Sequence, residues 1–135
     1  MTDVDVAIIG AGPYGLSLAA HLQAAGVSYR QFGLPMNQWQ TTMPRGMYLK
    51  SQGLALNLSS PDRTHTLEAF CAATGRPYQD RGLPVSLETF TAYGLWFQQE
   101  LVRELQPVLV SEVVEKDDHF EAAAADRPPA APTPP

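Results

Sequence analysis

Gly10, Ala11, Gly12, Pro13, Tyr14 and Gly15 form the one stretch of this chain whose spacing can do chemistry. They spell G-x-G-x-x-G, a pattern suited to holding a dinucleotide pyrophosphate when a strand precedes it and a helix follows. Gly10 allows a sharp exit from the strand, and Gly12 lets the backbone approach a phosphate with no Cβ in the way. Gly15 permits close packing of helix on strand. Pro13 suits the first helical turn, where its fixed φ is pre-organised and its missing donor leaves no intrahelical bond unmade. The free amides at the start of that helix then meet the negative charge.

Such a turn works only if its neighbours are what they must be. Residues 4–9, VDVAII, are a short, β-branched, mostly apolar run, as expected for a parallel strand covered on both faces. After the turn, Leu16, Ala19, Ala20 and Leu22 make an apolar stripe at helical spacing, and Gly26 supplies a C-terminal stop. Residues 27–32 read as a second strand. Strand, turn, helix and strand thus follow in order within roughly 30 residues, the context that gives the glycine pattern its meaning. The expected class is α/β, a Rossmann-like fold with a small, mostly parallel sheet and flanking helices.

In many such folds an acidic residue about 20 positions further on binds the adenosine ribose. Here Gly33 occupies that place, so ribose contacts must come from backbone or from elsewhere. Arg30 could receive a 2′-phosphate, which would point to NADP, but a strand arginine is more often a solvated edge residue.

Residues 33–63 show no sustained period and read as a long loop. Residues 66–74 predict a short helix closed by Gly75. Ser86 caps a longer helix on which Leu87, Phe90, Gly94, Phe97, Leu101 and Leu105 share a face, with Pro107 blocking continuation. Residues 108–114 predict a third strand and 115–119 a turn before Phe120. One domain is expected over residues 1–121, followed by a disordered Ala/Pro-rich tail over 122–135.

Composition narrows the functions further. At 135 residues and 44% hydrophobic the chain can bury one modest core. A net charge of -5 with scattered basic residues leaves no footprint for nucleic acid or an anionic membrane. Cys71 is the sole cysteine, which excludes a dithiol centre and a thiolate zinc site and reads as a buried structural thiol. His21, His65 and His119 have no partner at metal-ligand spacing. The N-terminus is acidic and its apolar run too short for a signal peptide or a spanning helix, so the expected compartment is the cytoplasm.

Residues 5–22, DVAIIGAGPYGLSLAAHL, resemble the N-terminal FAD fingerprint of the flavin-containing and N-hydroxylating monooxygenases, in which a proline after the second glycine is typical. The resemblance continues through Trp39, through residues 43–51 (MPRGMYLKS) and into residues 84–96 (PVSLETFTAYGLW). It implies that Gly10 to Gly15 cradle the FAD pyrophosphate and that Trp39, Arg45 and Lys50 lie in a loop beside the flavin. Read from the residues alone, Trp39 equally suits a packing anchor, and Arg45 and Lys50 solvated cations. Family members carry a second glycine-rich motif for NADPH and a late Ala-Thr-Gly segment, and this sequence has neither. The expectation is therefore an FAD-binding fragment of a flavin-dependent oxidoreductase. NADPH would serve as electron donor only if the missing domain is supplied, for instance by a second chain. A non-catalytic fold remnant and an NAD(P)-dependent dehydrogenase are the alternatives, the latter without any Tyr-x-x-x-Lys pair or placed His for acid-base work.

Overall fold

The computed structural model describes residues 3–124. Strand β1 (Val6–Ile9) leads through the glycine turn into helix α1 (Pro13–Ala24), and the chain returns as β2 (Tyr29–Phe32). The two strands are parallel, Val6 opposite Tyr29 and Ile9 opposite Phe32. The return is set by Ala25 as C-cap and by Gly26 at φ 72°, a left-handed conformation that glycine adopts without a Cβ penalty.

Within the long loop the structure adds a short helix, α2 (Asn37–Thr41), and a single 3-10 turn at Gly53–Ala55. Helix α3 (Leu67–Thr74) starts where the Thr66 hydroxyl accepts from the Ala69 amide and stops at Gly75, φ 73°. Helix α4 (Leu87–Leu101) starts where the Ser86 hydroxyl accepts from the Thr89 amide. Its buried residues, Leu87, Phe90, Tyr93, Gly94 and Phe97, fall on the face expected from the sequence. Leu16, Ala19 and Ala20 of α1 meet this face in one core with Leu67, Phe70 and Cys71 of α3. Burial pushes the Cys71 thiol pKa up, as suits an unreactive packing residue.

Four expectations change. Strand β1, expected to be covered on both faces, buries Ile8 but leaves Ala7 and Ile9 exposed. Leu105 keeps the apolar spacing of α4 but has left the helix, because Val102 turns extended (φ -122°, ψ 92°) after Leu101. Leu105–Gln106 is instead β3, the third parallel strand, pairing Gln31 with Leu105 and Phe32 with Gln106. Pro107 has no amide to donate and ends that strand after two residues. The β-branched run expected to be the third strand is β4 (Val110–Glu115), which forms a separate antiparallel hairpin with β5 (Phe120–Ala124). Closing so short a loop costs little entropy, so the run pairs locally rather than joining the sheet. Ala122, Ala123 and Ala124, expected in the tail, are paired with Val113, Glu112 and Val110. Residues 125–135, the rest of that expected tail, lie outside the described residues.

One buried phenol helps hold the loop to the core. Tyr93 is fully buried, its hydroxyl donating to the His65 carbonyl at 2.7 Å and accepting from the Leu58 amide at 2.9 Å. Burial pushes its pKa up to about 12. Tyr93→Phe leaves both backbone groups without their partner, and we expect a loss of about 2 kcal/mol in urea unfolding at unchanged m-value.

Among the described residues no helix is long and apolar enough to cross a membrane.

Candidate functional site

The glycine turn sits where β1 ends and α1 begins. The Gly10 amide donates to the Phe32 carbonyl at 2.8 Å, a last rung that carries the β1 and β2 pairing into the turn. Gly10 then takes φ 124°, a backbone conformation that side chains rarely adopt. Gly12 is the N-cap of α1, at φ -84° and ψ -170°, and no side chain caps the helix. A Cβ built on Gly12 meets nothing within 4 Å, so the space above it is open. The first helical bond runs from the Leu16 amide to the Gly12 carbonyl at 2.9 Å, which leaves the Tyr14 and Gly15 amides without an intrahelical acceptor. Pro13, at the first helical position, has no amide to leave unpaired.

Gly15 does different work. A Cβ there would lie 2.6 Å from the Gly10 carbonyl oxygen, closer than real contacts allow. The missing side chain is what lets the helix start against the strand end. The three glycines thus have the conformations and clearances expected of them: a sharp exit, an open approach and a close contact.

The underside of the turn is clamped. Ala11 is buried, and its carbonyl accepts from the Met36 amide at 2.9 Å. The Gly10 carbonyl accepts from Nε2 of Gln31, a fully buried side chain on β2, at 2.8 Å. Met36 is a non-glycine residue at φ 55° and fully buried. Its thioether fills the space over Gly94 of α4, where an added Cβ would meet Sδ at 2.5 Å and Cγ at 2.7 Å. Gly94→Ala should therefore cost about 1–3 kcal/mol through overpacking, measurable as a lower midpoint of urea unfolding.

Gly33 directly follows β2 at φ 146°, and a Cβ there would lie 3.1 Å from the Ala11 nitrogen. The position where a ribose-binding carboxylate was sought is thus pressed against the turn, and a side chain would crowd the Ala11 amide. Tyr14 is 93% exposed and closes over nothing.

The remaining expected site residues lie on other elements. Trp39, on α2, is half-buried with its ring 4.9 Å from that of Phe90, the geometry of a packing anchor. Arg45 and Lys50 are exposed, and among the described residues neither forms an ion pair. The segment between them is tied to the start of α4, the Leu49 amide donating to the Val85 carbonyl and the Leu87 amide to the Met47 carbonyl. The histidines do have partners: His21 Nε2 lies 2.8 Å from the Ser59 hydroxyl, and His119 sits between Asp118 and Glu121. Asp118 and Glu121 raise the His119 pKa through hydrogen bonds to its ring.

Two cavities, of 330 and 300 Å³, open elsewhere, one beside Cys71 and Tyr78 and one beside Ser60 and Asp62. No residue of the turn lines either. Gln31, Met36 and Gly94 escaped sequence reasoning as parts of the site. Gln31 alone carried a signal, being a neutral amide within a strand of the expected parallel sheet.

A family model described as an FAD binding domain matches residues 3–115. No curated protein matches the chain in sequence. Among solved structures the chain is similar to a flavin-containing monooxygenase from Stenotrophomonas maltophilia, with 22% identity, a TM-score of 0.73, and coverage of 93% of this chain and 35% of that one. It is also similar to the bacillithiol disulfide reductase of Staphylococcus aureus, at 15% identity and a TM-score of 0.72, covering 94% of this chain and 35% of that one. A steroid monooxygenase bound to NADP aligns at 16% identity and a TM-score of 0.72, over 92% of this chain and 23% of that one. At such identities the likeness is one of fold, Rossmann-like and shared with flavoproteins, and the chain spans about a third of the first two structures and less of the last. With the match extending from before β1 into β4, the chain belongs to the FAD binding domain family.

Proposed function

We propose that this chain is the FAD-binding part of a flavin-dependent, monooxygenase-like oxidoreductase, with the FAD pyrophosphate seated on Gly10, Ala11, Gly12, Pro13, Tyr14 and Gly15. The observation that carries this reading is the empty space over Gly12 at an uncapped helix start, where amides lack intrahelical acceptors. A diphosphate fits that combination: oxygens for the amides, negative charge for the helix dipole, and a close approach that any Cβ would block. When bound, FAD supplies the two-electron redox chemistry.

The chain's own part is to bind and orient. Gly10 and Gly15 set the turn against β1, and Gly33 places no Cβ against the Ala11 amide. Arg45 and Lys50 offer positive charge on the loop that follows α2, and Trp39 anchors that loop to Phe90. Arg30, in the interior of β2 opposite Ala7, is not at the strand end where a ribose phosphate would be read, which favours FAD over NADP on this turn. NADPH as electron donor, a second polypeptide supplying the remaining domain, a cytoplasmic location and a domain over residues 1–121 belong to the same proposal. The bound NADP named for the steroid monooxygenase neighbour supports the first of these.

The test is the visible absorbance spectrum of the purified chain, before and after adding FAD and removing the excess by gel filtration. A retained flavin spectrum is the expected result. A folded chain that takes up no FAD overturns the proposal and favours a non-catalytic remnant, a reading to which the missing carboxylate at Gly33 lends support.

A further inference from the structure

We infer that Gln31 is a positioning residue for the diphosphate cradle, acting through the Gly10–Ala11 peptide; the inference rests on the reading of the turn given above. Gln31 lies on β2 with no exposed surface, in a place where a strand packed under a helix ordinarily carries an aliphatic residue. Its Nε2 donates to the Gly10 carbonyl at 2.8 Å and stands 3.1 Å from where a Gly15 Cβ would be. The amide thus fills the notch between strand end, turn and helix start.

Its Oε1 is buried and has no partner among the described residues. An orphaned buried acceptor is unfavourable, and an apolar side chain of the same shape would remove it. Stability alone therefore does not account for a glutamine here.

Peptide geometry does. The Gly10–Ala11 bond is trans, since the described residues contain no cis peptide, so the Gly10 C=O and the Ala11 N–H point in opposite directions. A hydrogen bond that draws the carbonyl inward toward Gln31 turns the Ala11 amide hydrogen outward. Gly33, whose Cβ would have lain 3.1 Å from that nitrogen, has none and does not crowd it. Gln31 and Gly33 together present a donor to an anionic oxygen, where a carboxylate at position 33 would have presented an acceptor to a ribose.

The test uses the full chain and two variants, with FAD and ADP as ligands. Gln31→Met keeps the volume and removes both the donor and the orphaned oxygen. It should unfold at the same or a higher urea concentration while binding FAD and ADP roughly ten-fold more weakly. Gln31→Glu should bind FAD while the introduced carboxyl is protonated and can donate to the Gly10 carbonyl, and lose affinity as rising pH ionises it. The wild type should show no such pH dependence, and a merely structural role would not produce one. In the ¹⁵N-labelled wild type the Gln31 side-chain amide signals should shift when ADP is added. Wild-type binding with undiminished affinity in a folded Gln31→Met overturns the inference and leaves the functional reading intact. Failure of the wild type to bind either ligand overturns both. Should Gln31→Met fail to fold, Gln31 amide signals that ignore ADP overturn the inference.

Discussion

Gly12→Val is expected to abolish FAD uptake and leave the fold standing. At φ -84° the backbone of Gly12 suits any residue, and its Cβ would meet nothing of the chain within 4 Å. The added isopropyl group therefore enters the volume assigned to the pyrophosphate without disturbing packing. Valine is a poorer N-cap than glycine, so unfolding free energy should fall by no more than about 1 kcal/mol. FAD affinity should fall at least about a hundred-fold, since displacing the diphosphate forfeits several charge-assisted amide hydrogen bonds together. The measurement pairs an FAD titration followed by flavin absorbance with a urea unfolding curve. Unchanged FAD binding would mean that the pyrophosphate does not sit on this turn.

Gly15→Ala gives the opposite pattern, stability lost first and binding lost as its consequence. Its single methyl group would stand 2.6 Å from the Gly10 oxygen and 3.2 Å from the Gly10 carbon, both backbone atoms. It would also come within 3.1 Å of Gln31 Nε2, breaking into the bond that holds the carbonyl. No rotamer relieves a backbone contact, so α1 must shift away from β1 and disturb Leu16, Ala19 and Ala20 in the core. A loss of about 2–3 kcal/mol is expected, at the upper end of overpacking costs. Thermal unfolding with and without FAD separates the two variants: Gly12→Val keeps its apo midpoint to within a few degrees and loses the FAD-dependent rise, whereas Gly15→Ala has a clearly lowered midpoint in the apo state. A Gly15→Ala variant as stable as the native chain would mean that helix and strand are not in this close contact.

Together the two substitutions distinguish glycines that share one motif. A Cβ at Gly12 would meet open space, whereas one at Gly15 would meet the chain itself. The distinction is invisible in the spacing G-x-G-x-x-G and follows from the atoms around each Cα.

Much of the fold was legible because its signals are local. Apolar β-branched character marked β1, three- and four-residue steps marked α1 and α4, and Ser86, Gly26 and Gly75 marked helix ends, each through its own backbone chemistry. The errors are of another kind. A β-branched run declares that it will be a strand but not beside which partner, so residues 108–114 suggest a strand of the sheet although a short turn makes β5 the easier partner. Leu105 fits the helical face by spacing, and only the extended backbone at Val102 places it in β3.

By itself, then, the sequence determined the β1-turn-α1-β2 unit, which depends on contacts between residues near in the chain. Tertiary structure alone decided what braces that turn from below. Gln31 reaches back 21 residues to the Gly10 carbonyl, Met36 binds the Ala11 carbonyl and packs on Gly94, and Gly33 abuts the Ala11 nitrogen. These groups are far apart along the chain, and no periodicity records which of them will meet. Their roles arise from the packing beneath the turn, where an added methyl group at Gly15 or Gly94 has no room.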